Sequence, residues 1–479
     1  MSSPTPARRP RAVLDIAVQL VGRLGNLALG VVATVVIVRT LGDDGFGQWA
    51  AVTAVVSITA SAGDLGIQSI AIRHAVAEPE QESSWLGALL SLRVALSLPL
   101  SVVSAVAVLL LATDVDMRVA GLLLTLGLLL SAPSAADAVF QLRVRNDVTI
   151  AVMTVNSIIW TAAVVVIWQS GGGMVALAAA LVATNLATTV ILVVLALRAV
   201  PVCFTEYRRR WGELMRVGLP VGIAGVLILA YGRIDQILVF ELAGDRAAGL
   251  YGAAYHLLNS LAFVPLSVMT TLFPLIAAAH PVDLPRVRRL VQLAVNYLAM
   301  ASLPAFVFSL AAGGDIVRVL FGAEFTDAAR VLPILMASYV AICFGYIAGN
   351  LMVILGLQRA FVRYAVLALI VNVALNLVLI PRYGFVAAAW VTLVTEIMVN
   401  ALAGRAVLRE IGLRPEVGTI FRALVAVALT GAGLLLVREA GGGLTLMAAA
   451  ATALYVPLLF GLGALHWQEV GGLLRKAPS

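Results

Sequence analysis

Apolar runs of about twenty residues follow one another along this chain almost without interruption, and that feature decides what it can fold into. A bilayer core about 30 Å thick takes about 20 apolar residues per helix. About fourteen such segments fit, at 12–38, 46–72, 85–112, 118–142, 148–169, 174–198 and 214–241, then 247–279, 288–312, 328–356, 361–380, 385–408, 418–437 and 443–466. Helices are the expected form, because backbone N–H and C=O groups in hydrocarbon must be satisfied within their own segment. Mean hydropathy is +1.03 over the whole length. Only 12% of the residues are charged, against about 25% in a soluble domain. The expected class is an all-α integral membrane protein with about fourteen transmembrane helices.

Composition then removes several functions. The sole lysine, Lys476, precedes Ala477, so no Walker A Gly-Lys-Ser/Thr exists and the chain carries no P-loop for ATP. Cys203 and Cys343 lie far apart and suit neither a disulfide framework nor a zinc site. His74, His256, His280 and His466 are scattered, so no metal site is expected. The net charge of +7 does not point to nucleic acid, because the arginines sit in short loops between apolar spans. With the N-terminus placed inside, the inner segments hold about three times as many Lys and Arg as the outer ones, the asymmetry expected of cytoplasmic loops. Both termini are therefore expected in the cytoplasm of a multi-pass protein of a cell membrane. The arginine-rich, nearly lysine-free composition looks like that of a high-GC bacterium, and the expected location is the inner (plasma) membrane.

The chain also repeats itself. Arg39-Thr-Leu-Gly-Asp-Asp-Gly-Phe-Gly-Gln-Trp lies between spans one and two, and Glu241-Leu-Ala-Gly-Asp-Arg-Ala-Ala-Gly-Leu-Tyr between spans seven and eight. Both have Gly-Asp, a further glycine, an aromatic and then small residues opening a helix. A repeat of six spans gives copies of like orientation, so two six-helix lobes related by a pseudo-two-fold along the membrane normal are expected, with two extra C-terminal helices. The boundaries read as a cytoplasmic tail 1–11, an N-lobe 12–200, a cytoplasmic linker 201–213, a C-lobe 214–409, and helices 13–14 with a cytoplasmic tail over 410–479.

Leu41-Gly42, Gly45-Phe46-Gly47-Gln48-Trp49 and Asp64-Leu65-Gly66 resemble the opening of bacterial polysaccharide flippases. So do Asp235, Gly249-Leu250-Tyr251, Ala253-Ala254-Tyr255, Asn372, Asn376 and Ile380-Pro381-Arg382-Tyr383-Gly384. The resemblance is to Wzx-like O-antigen and exopolysaccharide exporters of the multidrug/oligosaccharidyl-lipid/polysaccharide superfamily, and it spans essentially the whole chain. It implies a transporter and not an enzyme, with two lobes around a cavity and alternating access. The implied cargo is a polyprenyl-diphosphate-linked glycan, flipped to the outer leaflet. A lipid II flippase and a cation-coupled multidrug exporter of the same superfamily are the alternatives. A polysaccharide polymerase and glycosyltransferases are candidate partners beside the membrane lipids. No cofactor is expected; coupling to H+ or Na+ and use of the membrane potential stand as alternatives.

Charged side chains deep in a bilayer cost about 2.5–3.5 kcal/mol each on insertion scales, so each is expected to face a cavity or a partner. Gln19, Arg23 and Asn26 share one helical face of span one, with Arg23 near the midplane. Arg23 and Arg233 are the principal expected contacts to a diphosphate, whose paired oxygens suit the guanidinium fork. Arg93 is a third candidate, whose stem also allows it to reach the interface. Arg233 and Asp235 are two apart, hence on different faces of one span. Glu396, Asp235, Asp64 and His256 are candidates for proton or ion coupling, against the plainer reading that polar groups join helices. Thr53, Ser57, Ser61, Asp64 and Gln68 make a polar face on span two.

Overall fold

A computed structural model describes residues 9–465 apart from 65, 144, 145, 201, 205, 206, 414 and 415; the side chains of 9–24, 146, 220, 221 and 224 are also outside the described set. The described chain is helical throughout and divides into two compact units, Met1–Glu241 and Leu242–Ser479. The first holds α1 (Arg9–Asp64), α2 (Ile67–Ala77), α3 (Glu82–Leu111), α4 (Val115–Ser131), α5 (Ala138–Leu142), α6 (Asn146–Gln169), α7 (Met174–Ala199) and α8 (Tyr207–Tyr231). The boundary falls within α9 (Ile234–Ala243). The second unit holds α10 (Asp245–Ser260), α11 (Phe263–Ala279), α12 (Leu284–Phe321), α13 (Leu332–Ile354), α14 (Gln358–Tyr383), α15 (Phe385–Ile411), α16 (Val417–Glu439) and α17 (Leu444–Gly461).

Twelve described stretches are long and apolar enough to cross a membrane. The first of them, Gly25–Ala77, has 53 residues, about 80 Å at 1.5 Å per residue, which is enough for two crossings. Gly42 divides it, with φ 69° and ψ −175° inside α1. The helix pair α8–α9 stands where the sequence places the seventh span and is not among the twelve. With that pair and the division at Gly42, the helices follow the expected pattern of about fourteen crossings.

The internal repeat has a local conformational counterpart. Gly244, in the second copy of the Gly-Asp motif, has φ 86° and ψ 175°, nearly the conformation of Gly42. That combination is open to glycine and strained for any residue with a Cβ, so the repeated glycine is a repeated hinge. The helix after each hinge also breaks, between Asp64 and Ile67 in the first unit and between Ser260 and Phe263 in the second. Within the first unit α3 packs on α4, α4 on α7 and α6 on α7; within the second α12 packs on α13, α13 on α15 and α14 on α15. The two extra helices attach to α12: α16 packs along it, and Tyr455 of α17 donates its hydroxyl to the Met300 carbonyl at 2.8 Å.

The stretch expected to be the cytoplasmic linker, 201–213, includes the start of a helix. Tyr207 onward is already helix α8, which packs on α1, α2 and α3. Arg210 is 8% exposed. Its guanidinium lies 4.4 Å from the Trp85 ring centroid and donates to Gln81 Oε1. The His74 ring stacks on Trp85 at 4.4 Å, and Trp211 donates to Ser91 Oγ at 3.0 Å. Aromatic and cationic residues that pattern alone assigns to a loop are thus used to fasten α8, and the first compact unit runs on to Glu241.

Candidate functional site

Described residues of the first unit line a partly open chamber of about 260 Å³, with polar and apolar wall in similar measure. It is lined by Gln68, Arg93, Ser131, Ser134, Asp137, Asn156, Asn185 and Thr188, with Met153 and Leu192 among the apolar wall. A smaller cavity of about 130 Å³ shares Arg93, Ser131 and Ser134 with it. Three local features build the chamber. Pro133 has no N–H to continue the helical ladder, so α4 gives way to a 3₁₀ turn over Ala132–Asp137 that brings Ser134 and Asp137 to the wall. Gly66, at φ 66°, restarts the chain as α2 and sets Gln68 in its first turn. Arg93 is eleven residues into α3, about 16 Å along the helix.

Arg93 sits at the junction of the two cavities. Its Nη1 is 3.3 Å from Asp64 Oδ1, with the arginine side chain 18% and the aspartate 55% exposed. An ion pair with so wet a carboxylate contributes about 0–1 kcal/mol. The Nε–H of Arg93 is buried and has no acceptor. The chamber therefore holds a guanidinium with an unused donor and a weakly held counter-ion, a combination that an incoming anion can take over with charge-assisted hydrogen bonds. Asp137 is the other carboxylate of the wall. It accepts from Gln68 Nε2 at 2.9 Å and from Gln141 Nε2 at 3.2 Å.

The residues expected from sequence fall in several places. The side chains of Arg23 and Gln19 lie outside the described residues. Asn26 donates to Thr154 Oγ1 at 3.2 Å, tying α1 to α6, while its buried Oδ1 has no partner. Arg233 is half-buried in the turn between α8 and α9. Asp235 is 1% exposed, and its Oδ1 accepts the Gln236 backbone N–H at 2.9 Å. The turn at Gly232 separates α8 from α9, which corrects the picture of Arg233 and Asp235 on one continuous helix. His256 on α10 and Glu396 on α15 are half-buried in the second unit. Those two helices meet where the Tyr251 and Thr392 hydroxyls lie 3.1 Å apart.

The polar residues expected on one face of span two divide between their own helix and the chamber. Thr53, Ser57 and Ser61 return their hydroxyls to carbonyls of their own helix, at 2.7, 2.5 and 2.7 Å. Only Asp64 and Gln68 of that set reach the chamber and its arginine. Sequence reasoning paired neither Arg93 with Asp64 nor Gln68 with Asp137, and it overlooked Asp137, Asn156 and Asn185. The available signal was Pro133 between two serines inside an apolar span.

Comparison with known proteins places this geometry. Residues 13–280 match the family described as polysaccharide biosynthesis protein. The chain is 26% identical to the probable flippase AglR of Haloferax volcanii over 196 residues, 40% of this chain and 41% of that protein. It thus spans about two fifths of the length of that curated relative. Among solved structures it superposes on lipid II flippase MurJ in an inward closed conformation, with TM-score 0.74 and 11% identity, over 92% of this chain and 98% of that one. An inward-facing multidrug resistance MATE family transporter of the MOP superfamily gives TM-score 0.64 and 13% identity, over 80% and 95%. These likenesses establish a MurJ- and MATE-like fold, and the match over more than half its length makes this chain a member of the polysaccharide biosynthesis protein family.

Proposed function

We propose that the protein flips a polyprenyl-diphosphate-linked oligosaccharide from the cytoplasmic to the outer leaflet of a cell membrane, with access alternating between the two sides. The observation that carries the reading is Arg93: a guanidinium about 16 Å along its helix, bordering two cavities, with its Nε–H buried without an acceptor among the described residues and the exposed Asp64 as its ion-pair partner. A diphosphate offers paired oxygens to that planar fork. Arg23 and Arg233 are assigned the same task elsewhere on the cargo's path. When the diphosphate takes the guanidinium, Asp64 loses its cation and becomes the group to receive H+ or Na+; Glu396, Asp235 and His256 are the other coupling candidates. The membrane potential is an alternative source, because roughly two negative charges leaving a negative interior gain about 4–5 kcal/mol per 100 mV.

The relatives support this reading through their names, as flippases and a glycan-building family. The test is genetic. In a host lacking its own copy, Arg93→Ala, Arg23→Ala and Arg233→Ala are each expected to reduce surface glycan. Unchanged glycan in all three strains contradicts the assignment of phosphate contacts.

A further inference from the structure

In the second unit α14 and α15 form a hairpin that turns at Gly384. Arg363 and Arg405 lie equally far along the chain on either side of that glycine, and so do Arg359 and Arg409. At 1.5 Å per residue the two pairs stand about 32 and 38 Å from the turn. With the turn at one boundary of a hydrocarbon core about 30 Å thick, all four guanidiniums reach the headgroup layer at the other. Tyr383, exposed beside the turn, suits the first boundary, where tyrosine is enriched.

Helix α13 backs both members of the hairpin: Phe361 of α14 lies against Gly349, and Asn400 of α15 donates to the Ala341 carbonyl at 2.7 Å. Arg359 and Arg363 flank Phe361, about 160–200° round α14 from it. Arg405 and Arg409 are about 140° and 180° round α15 from Asn400. Both pairs therefore point away from α13, and all four residues are exposed. Among the described residues none of them is paired with a carboxylate. The sequence of α14 contains no Asp or Glu, and the last three turns of α15 contain only Glu410. The end of α15 is held from α12, where Arg288 donates its Nε–H to the Ile411 carbonyl at 2.7 Å. An open groove beside Arg405 and Arg409 is floored by Gly404, Leu408 and Leu413. Orientation in the membrane does not by itself call for this ladder. The hairpin α6–α7 of the first unit has Arg198 as its one cation and Asp147 in its first turn, and Arg143, just before it, is taken by Glu82 at 3.5 Å.

We infer that the ends of α14 and α15 form a platform for the phosphates of anionic phospholipids in the leaflet they meet, the inner one by the Lys and Arg asymmetry of the sequence. The guanidinium fork takes phosphate oxygens in pairs. Clusters of about four to eight basic residues at the end of a spanning helix suit anionic headgroups. Leu408 and Leu413 offer apolar surface to the chain carbons beside the phosphate. The platform is remote in sequence from Arg93 and does not depend on which cargo crosses.

The test is native mass spectrometry of the detergent-purified full chain, titrated with phosphatidylglycerol and with phosphatidylcholine of the same acyl chains. The wild-type protein is expected to hold phosphatidylglycerol about tenfold more tightly. The variant Arg359→Gln/Arg363→Gln/Arg405→Gln/Arg409→Gln is expected to bind the two lipids alike. The variant Arg73→Gln/Arg198→Gln/Arg208→Gln/Arg209→Gln removes as many exposed arginines from the first unit and is expected to keep the preference. Excess inorganic phosphate is expected to leave phosphatidylglycerol bound. Equal wild-type binding of the two lipids overturns the platform, as does a preference that survives the first variant or vanishes in the second. Displacement of phosphatidylglycerol by inorganic phosphate overturns the lipid as occupant and marks a site for free anions. If the first variant does not fold, as read by its thermal midpoint, Arg405→Gln/Arg409→Gln carries the same comparison: a reduced preference supports the platform and an unchanged one overturns it.

Discussion

Arg210 and Arg93 belong to the same compact unit, yet their surroundings assign them opposite tasks. Arg210 is covered by Trp85, which is itself stacked on His74, and its Nη2 is held by Gln81. A ring stacked on one face of Trp85 leaves the other to the guanidinium, so three side chains form one packed column at the junction of α2, α3 and α8. Arg93 has cavities on its flanks and pairs with the exposed carboxylate of Asp64. Arg210 also keeps its Nε and Nη1 buried without an acceptor among the described residues, so what separates the two cations is the aromatic cover over Arg210 and the cavities beside Arg93.

Substitutions can break or sharpen that contrast. The largest effect is expected from Trp85→Ala, which empties a buried site at 3% exposure and costs about 3–5 kcal/mol of stability. A thermal denaturation series in detergent reads it, and transport per folded molecule is expected to persist. Arg210→Ala comes next: a desolvated cation–π contact is worth about 2 kcal/mol, so the thermal midpoint falls while surface glycan per folded molecule does not. Arg93→Ala reverses the pattern, with at least a tenfold loss of transport, about 1.4 kcal/mol in the barrier, and little change in midpoint. The smallest stability change belongs to Asp64→Asn, about 0–1 kcal/mol, measurable as a midpoint shift near the noise. A midpoint that falls as far for Arg93→Ala as for Arg210→Ala would erase the distinction between the two sites.

Much of the fold was legible because bilayer crossing imposes a length and a polarity that few other constraints mimic. The duplication was legible too, since Gly42 and Gly244 stand in the same Gly-Asp context and share an extended positive-φ conformation that only glycine supplies without strain. The candidate site was less so. Arg93 stood out as a charge in an apolar span, but its partners arrive from other helices: Gln68 bonds Asp137 across 69 positions. That pairing depends on the break at Pro133 and the restart at Gly66, which turn polar groups toward one space. The docking of α8 was hidden for a like reason, because Arg210 meets Gln81 across 129 positions, and a run of arginines after a proline reads locally as a loop. Helix periodicity reports faces within one segment, whereas a chamber is made by faces of several.

The most direct test of the account is translocation in proteoliposomes. Wild-type protein and Arg93→Gln, reconstituted at equal folded density, are given a fluorescent polyprenyl-diphosphate-linked sugar in the inner leaflet, and its arrival in the outer leaflet is timed by an impermeant quencher. The account predicts movement above protein-free vesicles for the wild type and a rate at least tenfold lower for the variant. Equal rates for the two proteins, or none above the protein-free background for either, would contradict it.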